Sequence, residues 1–525
     1  MHTESVLFTV TCIVAAIIPL SSLYRQFQML QQNSYYPVRY IKWLYNSYFT
    51  NLLALTAIFC ALSVVFKYSM LLELLIIILF IASQVYFTVK AAKKSIKKLA
   101  FTKRVIRLLA AAVIIQTALC ATVLNLTGVI QGVAFSLLIF LGVFSPVLTL
   151  LCWAVTYPFE KAVAAHYIND AKKTVQSMPE LLTIGVTGSY GKTGTKFILS
   201  RILSEKFNVA ATPKSYNTTM GVVRTVRSSL RPQTQVFICE MGAKNIGDIK
   251  EICDIVHPKI GIISAVGPQH LDTFGTVDNV FKTKFELYDE CIKNGGKVFV
   301  NGDSEQLTKR LGQKQVIKYG ISDGEYTATN ISYTKDGASF TLKLADTEIP
   351  VTTRLMGKHN VINITGAAAV AHVLGVTDED IKFAVSRLEP TEHRLQLKSG
   401  ICKAVMIDDA YNANPEGCIE AVNVLSHFGD MKKVIITPGL VELGNKEYDF
   451  NYKLGLAATK VCDEIILVGQ NRSKPMCDAI NTTDFPKDSV HVVSSYAEAL
   501  QVLSGFADEN TVYLVENDLP DNYLN

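Results

Sequence analysis

From Leu108 to Phe159 the chain carries no charged residue. At about 1.5 Å of rise per helical residue, such a run is far longer than one crossing of a hydrocarbon core roughly 30 Å thick. It must fold back, and Asn125, Thr127, Gly128 and Gly132 mark the turn. Ser5–Tyr24 and Trp43–Phe66 are also free of charge, and Leu74–Val89 is a third such stretch that extends past Glu73 at an interface. Together they predict an α-helical transmembrane domain over residues 1–157, with five helices at about 5–24, 46–66, 69–89, 108–126 and 130–157. The first run lacks a basic leading segment and is followed by further spans, so it reads as a membrane helix rather than a cleaved signal.

The loops set the orientation. Arg25, Arg39 and Lys42 lie between the first two spans, and the basic run from Lys90 to Arg107 lies between the third and fourth. The positive-inside rule places both in the cytoplasm. An odd number of crossings then puts everything after Tyr157 there too. The expectation is a multi-pass protein of the cell membrane whose remaining domains are cytoplasmic. The basic run reads as a topology signal first, and as a site for anionic membrane lipid second. Pro158–Leu182 reads as a surface helix that joins the two parts without a long linker.

The mean hydropathy of +0.25 is high for a soluble protein, yet the apolar excess ends before residue 158. A net charge of only +5 gives no reason to expect nucleic acid. The eleven cysteines form no C-x-x-C pair, which argues against structural zinc and a disulfide framework and favours a reducing compartment.

After residue 180 the pattern changes to α/β. Leu181–Val186 reads as a strand, followed by Thr187-Gly-Ser-Tyr-Gly-Lys-Thr193 and a helical run from Phe197 to Phe207. Backbone N–H groups in such a turn surround a phosphate, the lysine neutralises it, and the threonine hydroxyl holds Mg²⁺. The usual spacing would put glycine at position 186, where this chain has Val186, so the turn is a shortened variant built on Gly188, Ser189 and Gly191. Further β-like runs at Val236–Cys239, Ile260–Ser264, Lys297–Val300, Val434–Thr437, Ile465–Val468 and Val512–Val515 alternate with helical patterns, which predicts parallel sheets with ligands at the strands' carboxyl ends.

The candidate residues fall at those ends. Glu240 closes one strand and is placed to hold Mg²⁺ beside the phosphate turn. His270 lies just past another; alone it reads as structural, and beside Glu240 a metal or phosphate role stands equally open. Lys284, on a helix, would ordinarily be solvated surface. Asn301 and Asp303 follow a strand, where either a simple turn or a nucleotide contact fits. Gly357-Lys-His-Asn360 opens a helix. Asp408-Asp-Ala-Tyr-Asn-Ala-Asn-Pro415 puts carboxylates and amides where burial is costly without partners.

In this order, these segments resemble the Mur ligases, and within them the MurF branch, which adds D-alanyl-D-alanine to a peptidoglycan precursor tripeptide. Glu240-Met-Gly-Ala243, Gly267-Pro-Gln-His270, Lys284-Phe-Glu-Leu287, Asn301-Gly-Asp303, His393-Arg394-Leu395 and Leu440-Val-Glu-Leu-Gly444 are further matching pieces. The resemblance implies a P-loop central domain over 158–395 and a Rossmann-like C-terminal domain over 396–525. It implies an ADP-forming ligase in which a carboxylate takes the γ-phosphate of ATP, and an amine then attacks the acyl phosphate. By resemblance Lys192, Lys284, His270 and Arg394 are catalytic, and Gly188, Ser189, Gly191, Lys192, Thr193, Asn301, Asn360, Arg394 and Asp409 bind ATP. Thr193, Glu240, His270 and a carbamylated Lys284 hold Mg²⁺. Its partners would be a UDP- or lipid-linked cell-wall acceptor and an amino acid or dipeptide amine.

Three departures stand against the family pattern. Membrane spans occupy the place of the UDP-sugar-binding domain. Gly194 interrupts the threonines after the lysine. Where MurF chains carry a Lys-Gly-Ser-Arg-like segment after the last strand, this chain has the acidic Glu516-Asn-Asp-Leu-Pro-Asp-Asn522. A ligase for another polymer such as polyglutamate, and an ATPase-powered transporter or flippase, are the competing expectations.

Overall fold

The computed structural model describes residues 23–33, 35–47, isolated positions between 72 and 89, 98–126, 145–267, 271–334, 336–390, 393–410, 415–441, 443, 446–470 and 472–517. The chain divides into two compact units, Met1–Ala165 and His166–Asn525.

In the first unit, helices α1 (Pro37–Ser47), α2 (Lys103–Leu126) and the start of α3 (Ser145–Gln176) contribute to one apolar cluster around Phe27, Leu30, Tyr40, Leu108 and Cys152. Helix α2 covers the fourth expected span. Among the described residues one helix, α3, is long and apolar enough to cross a membrane. The first three expected spans lie largely outside the described residues, as does the turn between the fourth and fifth. The end of the fifth expected span and the expected surface helix from Pro158 are one continuous helix, α3, which runs through the proline. An interior proline removes one backbone hydrogen bond. Here the Thr156 hydroxyl donates to the Cys152 carbonyl (2.8 Å) beside the interrupted turn, and Glu160, just beyond it, accepts from Arg107 at 2.6 Å.

The second unit holds two sheets. The larger has nine strands in the order β2-β3-β1-β4-β5-β6-β7-β8-β9: β1 Leu182–Thr187, β2 Val209–Ala211, β3 Val236–Glu240, β4 Ile260–Ile263, β5 Lys297–Asn301, β6 Ile317–Gly320, β7 Tyr326–Thr334, β8 Gly337–Leu344 and β9 Thr347–Thr353. Pairings from β2 through β7 are parallel, and β7, β8 and β9 close the edge as an antiparallel meander. Side chains alternate across the pleat. In β3, Val236 and Ile238 join a core with Ile184, Val186 and Leu199, while Phe237 and Cys239 join another with Val223, Ile252 and Phe285. Burying each such side chain is worth about 1.5–3 kcal/mol.

Helices α4 (Lys192–Leu203), α5 (Thr219–Ser229), α6 (Asp248–Val256), α7 (Val277–Lys293) and α8 (Lys358–Val373) cover the two faces. The C-terminal part of α3 seals one of them through Ala171 and Val175. The smaller sheet has six strands in the order β10-β11-β15-β12-β13-β14: β10 Gln396–Ser399, β11 Val405–Asp409, β12 Lys432–Thr437, β13 Glu464–Val468, β14 Val490–Val493 and β15 Thr511–Glu516. All its pairings are parallel except β10 with β11. Helix α9 (Pro415–Leu425) packs on it.

Candidate active site

The turn after β1 is built for close backbone approach. Gly188 has φ 151° and Gly191 φ 79°, conformations that side-chain-bearing residues rarely adopt. A Cβ at Gly188 would stand 2.1 Å from the Ser264 hydroxyl oxygen. The end of β4 pins the turn: Ser189 N donates to Ala265 O at 2.7 Å, and the Ser264 hydroxyl donates to Thr187 O at 3.2 Å and to Tyr190 O. Helix α4 starts at Lys192, so the positive end of its dipole faces the turn. The Lys192 ammonium donates to Gly188 O at 2.5 Å and Ser189 O at 3.1 Å. Burial pushes its pKa down to about 8, with Glu240 opposing and Arg394 reinforcing the shift.

Glu240, at the carboxyl end of β3, gathers the polar groups of this site. Its Oε1 accepts from the Thr193 hydroxyl (3.1 Å) and Asn217 Nδ2 (2.9 Å), and its Oε2 pairs with Lys196 Nζ at 2.9 Å. The Lys196 ammonium also donates to Lys214 O. A buried pair of this kind persists only when its remaining valences are met, as they are here. Thr193 and Glu240 are adjacent hard oxygen donors, the set Mg²⁺ accepts when phosphates and water complete its octahedron, so the residues fit that ion. His270, the other residue expected to help with metal, lies outside the described residues. Among the described residues no group of three or more His, Cys, Asp and Glu forms a self-contained metal cage.

Lys284 is buried rather than solvated, with a relative exposure of 2%. Its place follows from two glycines. A Cβ at Gly185 in β1 would come within 2.5 Å of Leu287 Cδ1, and one at Gly261 in β4 within 3.2 Å of Leu287 Cγ, so α7 sits directly on the strands. Burial first, and then the Lys192 charge, hold the Lys284 ammonium well below its ordinary pKa, against the opposing pull of Glu286 and Asp248. Glu286 is itself occupied, accepting from Gly247 N (2.7 Å) and Lys250 N (2.8 Å) at the start of α6.

The expected nucleotide positions divide. Arg394 acts electrostatically on Lys192, Lys196, His359 and Asp409, which brings it to the phosphate turn from the strand-β10 side of the chain. Its neighbours His393 (φ 58°) and Leu395 (φ 44°) both adopt left-handed backbone. Asn301 Oδ1 accepts from Asp303 N at 3.0 Å, and Asp303 accepts from Ile321 N and Ser322 N, so both side chains are engaged in shaping the β5–β6 end. Asn360 Nδ2 donates to Met356 O at 2.7 Å. Asp408 accepts from Lys398 and pairs with His393 Nδ1 at 2.8 Å, whereas Asp409 accepts from Leu395 N at 3.2 Å. Tyr411–Asn414, Glu442 and Gly444 lie outside the described residues.

The structure adds Lys196, Asn217 and Asn363, which the sequence motifs do not single out, and brings His359 of the Gly357–Asn360 motif under the influence of Arg394. Lys196 follows Lys192 by one helical turn, the available signal that both face the strand ends. Asn363 Oδ1 accepts from the Thr195 hydroxyl at 3.1 Å, and a Cβ at Gly194 would lie 3.2 Å from its Nδ2. The glycine that interrupts the threonines is thus where α8 approaches the turn. His359 is driven down to about 4, by burial first and then by Arg394.

A parallel sheet whose first strand enters a glycine-pinned turn, with Lys192, Thr193 and Glu240 at its mouth, defines a P-loop nucleotide-binding protein that carries a second, Rossmann-like domain. Residues 186–371 match the Mur ligase middle domain and residues 393–516 the Mur ligase glutamate ligase domain. The chain belongs to the Mur ligase family of ATP-dependent, ADP-forming peptide ligases. It is 28% identical over 310 residues to the UDP-N-acetylmuramoyl-tripeptide–D-alanyl-D-alanine ligase of Haemophilus influenzae, covering 58% of this chain and 67% of that one. It is 30% identical over 304 residues to the ligase of the same name from Mycobacterium bovis, covering 56% of this chain and 59% of that one. A crystal structure of MurF from Acinetobacter baumannii superposes with a TM-score of 0.60 at 26% identity, over 68% of this chain and 77% of the other. The chain thus spans about three-fifths to two-thirds of the length of these curated relatives.

Proposed function

We propose that the protein is a membrane-anchored, ATP-dependent carboxylate–amine ligase that works through an acyl phosphate in the synthesis of peptidoglycan or another cell-envelope precursor. The observation that carries this reading is the convergence of Lys192, Thr193 and Glu240 on a turn that only glycine can form. Phosphoryl transfer needs charge neutralisation and positioning more than covalent participation. The turn's N–H groups and Lys192 hold the β- and γ-phosphates. Lys192 leaves its two carbonyl partners to do so, a short move for a flexible side chain. Thr193 and Glu240 would hold Mg²⁺, which when bound neutralises charge on the transferring phosphoryl group. Lys196 keeps Glu240 in place by neutralising the oxygen turned away from Thr193. Burial disfavours the Lys284 ammonium and so favours the free electron pair that carbamylation by CO₂ requires, and its carbamate would bring a carboxylate-like ligand to the same site. Arg394 adds positive charge where the acyl phosphate forms.

The relatives act, by name, on a UDP-linked muramoyl tripeptide and D-alanyl-D-alanine. For this chain we assign an acceptor of the same carboxylate class, held at the membrane surface and linked to lipid. Support comes from the apolar faces of α2 and α3, where Ile114 is 69% and Val155 64% exposed. Exposed apolar side chains on long helices call for an apolar covering, which lipid supplies. The test offers UDP-linked and lipid-linked muramoyl tripeptide, each with D-alanyl-D-alanine, to the full chain in nanodiscs. Amide formation with the lipid-linked acceptor alone is expected. Equal turnover of the UDP-linked form by the full chain and by a chain lacking residues 1–157 would overturn the membrane role.

A further inference from the structure

The acidic segment at the end of the last strand is unexplained by the ligase chemistry. In the parallel pairing of β11 with β15, Asp409 stands in register with Glu516. Both are at the carboxyl ends of their strands, where this fold binds ligands. Glu516 is 1% exposed. It therefore offers no charge to solvent, contrary to what an acidic tail suggests. Its Oε1 accepts from the Cys418 thiol of α9 at 2.7 Å, while Oε2 has no well-formed hydrogen bond among the described residues.

The unsatisfied Oε2 belongs to a carboxyl group that strand register sets beside Asp409, and each carboxyl acts electrostatically on the other. Two buried carboxyls side by side do not both ionise, because neither has water to screen the repulsion. The asymmetry of their surroundings decides which keeps the proton. Asp409 has the Leu395 N–H at 3.2 Å and the positive charge of Arg394, both of which favour its ionised form. Among the described residues Glu516 accepts only from a thiol. The remaining charged groups on this side, His393 and Lys398, are held by Asp408.

We propose that Glu516 is a positioning residue: its carboxylic acid donates a hydrogen bond to the Asp409 carboxylate and holds that carboxylate beside Arg394 in the nucleotide site. The role rests on the ligase reading above, since Asp409 matters for ATP only if ATP binds there. The directions of titration agree with the geometry. Burial first, and then Asp409, push Glu516 well above the ordinary carboxyl range, while burial raises Asp409 only to about 6. Once Asp409 ionises, the one remaining proton of the pair stays on Glu516. When alkali removes it, the two carboxylates repel and Asp409 loses its place.

The test compares the full-length protein with Glu516→Gln and Glu516→Ala, measuring binding of a fluorescent ATP analogue with Mg²⁺ across pH, alongside carboxyl infrared spectra. Glutamine still donates but does not titrate, so Glu516→Gln should bind as wild type does at neutral pH and weaken less at alkaline pH, where only the loss of the Lys192 charge remains. Alanine should weaken binding about tenfold at neutral pH, the order of magnitude of a hydrogen bond to a charged group, and less at alkaline pH, where the wild type itself loses that bond. A protonated-carboxyl band at neutral pH, absent from Glu516→Gln, is expected whether or not nucleotide is present. Lack of that band in the wild type, or an alkaline weakening as large in Glu516→Gln as in the wild type, would overturn the proposal. Failure of the wild type to bind nucleotide while the band is present would leave the carboxyl pair intact and overturn the ligase reading instead.

Discussion

Two carboxylates close strands at the ligand-binding ends of the two sheets, and the chain treats them in opposite ways. Glu240 ends β3 with a lysine at 2.9 Å and donors on its other oxygen. Glu516 ends β15 with a thiol on one oxygen and another carboxyl against the other. Both are fully buried. The first is neutralised by a counter-ion and is ready to hold a cation. The second is neutralised by a proton and acts on its neighbour. Burial alone therefore does not say what an acid does; the partner supplied by the adjacent helix decides it. Helix α4 brings Lys196 to Glu240, and α9 brings only Cys418 to Glu516.

Removing the Glu240 carboxylate tests the ion-paired end hardest. Glu240→Ala strands the Lys196 ammonium in the interior, and breaking a buried pair from one side costs about 3–5 kcal/mol. Denaturant unfolding of the catalytic unit should show a loss of that size, and a loss under about 1 kcal/mol would mean that water reaches Lys196. Lys192→Ala should spare stability and lower phosphate release by about 10²–10³-fold, the usual cost of losing one transition-state donor.

At the proton-sharing end the contrast appears in pH dependence. Acids raised in the folded state bind more protons there than in the unfolded chain, so their contribution to stability is lost as pH rises through their folded values. Asp409 near 6, with Glu516 raised in the same direction, places that loss on the alkaline side of the ordinary carboxyl range. From pH 5 to pH 8 the wild type should lose more stability than Glu516→Gln, by about 1.4 kcal/mol for every tenfold difference in proton affinity that the substitution abolishes. Parallel curves would place the proton elsewhere. The smallest effect is expected at Asn363→Ala, which removes the Thr195 contact under the turn. About 1 kcal/mol in stability should be lost, the typical worth of a neutral hydrogen bond, with a modest rise in KM for ATP.

How much of the molecule is legible in its sequence follows the same division. Strands such as Val236–Glu240 and Lys297–Asn301 are readable because a parallel sheet covered on both faces demands continuous apolar runs. The phosphate turn is readable because its glycines and lysine act locally. The meander Tyr326–Thr353 is hidden because an edge hairpin with one solvated face mixes threonine, serine and lysine among its apolar positions. Lys196 and Lys284 look like surface lysines in sequence; only Glu240, across the sheet end, explains one, and the glycines under Leu287 explain the other. Glu516 reads as part of an acidic tail because its partner, Asp409, is more than a hundred positions away and meets it only through strand register. Pro158 reads as a boundary because the proline's local cost is visible in sequence, whereas the contacts that carry α3 through it are not.

The measurement that bears most directly on the central claim is phosphate release from Mg-ATP by the full chain in nanodiscs, with Lys192→Ala as the control. It is run with the lipid-linked carboxylate acceptor, with and without D-alanyl-D-alanine. A ligase should release one phosphate for each amide formed, depend on both acceptor and amine, and fall silent in the control. ATP hydrolysis that is lost in Lys192→Ala yet indifferent to the amine would contradict amide ligation and point instead to a membrane ATPase.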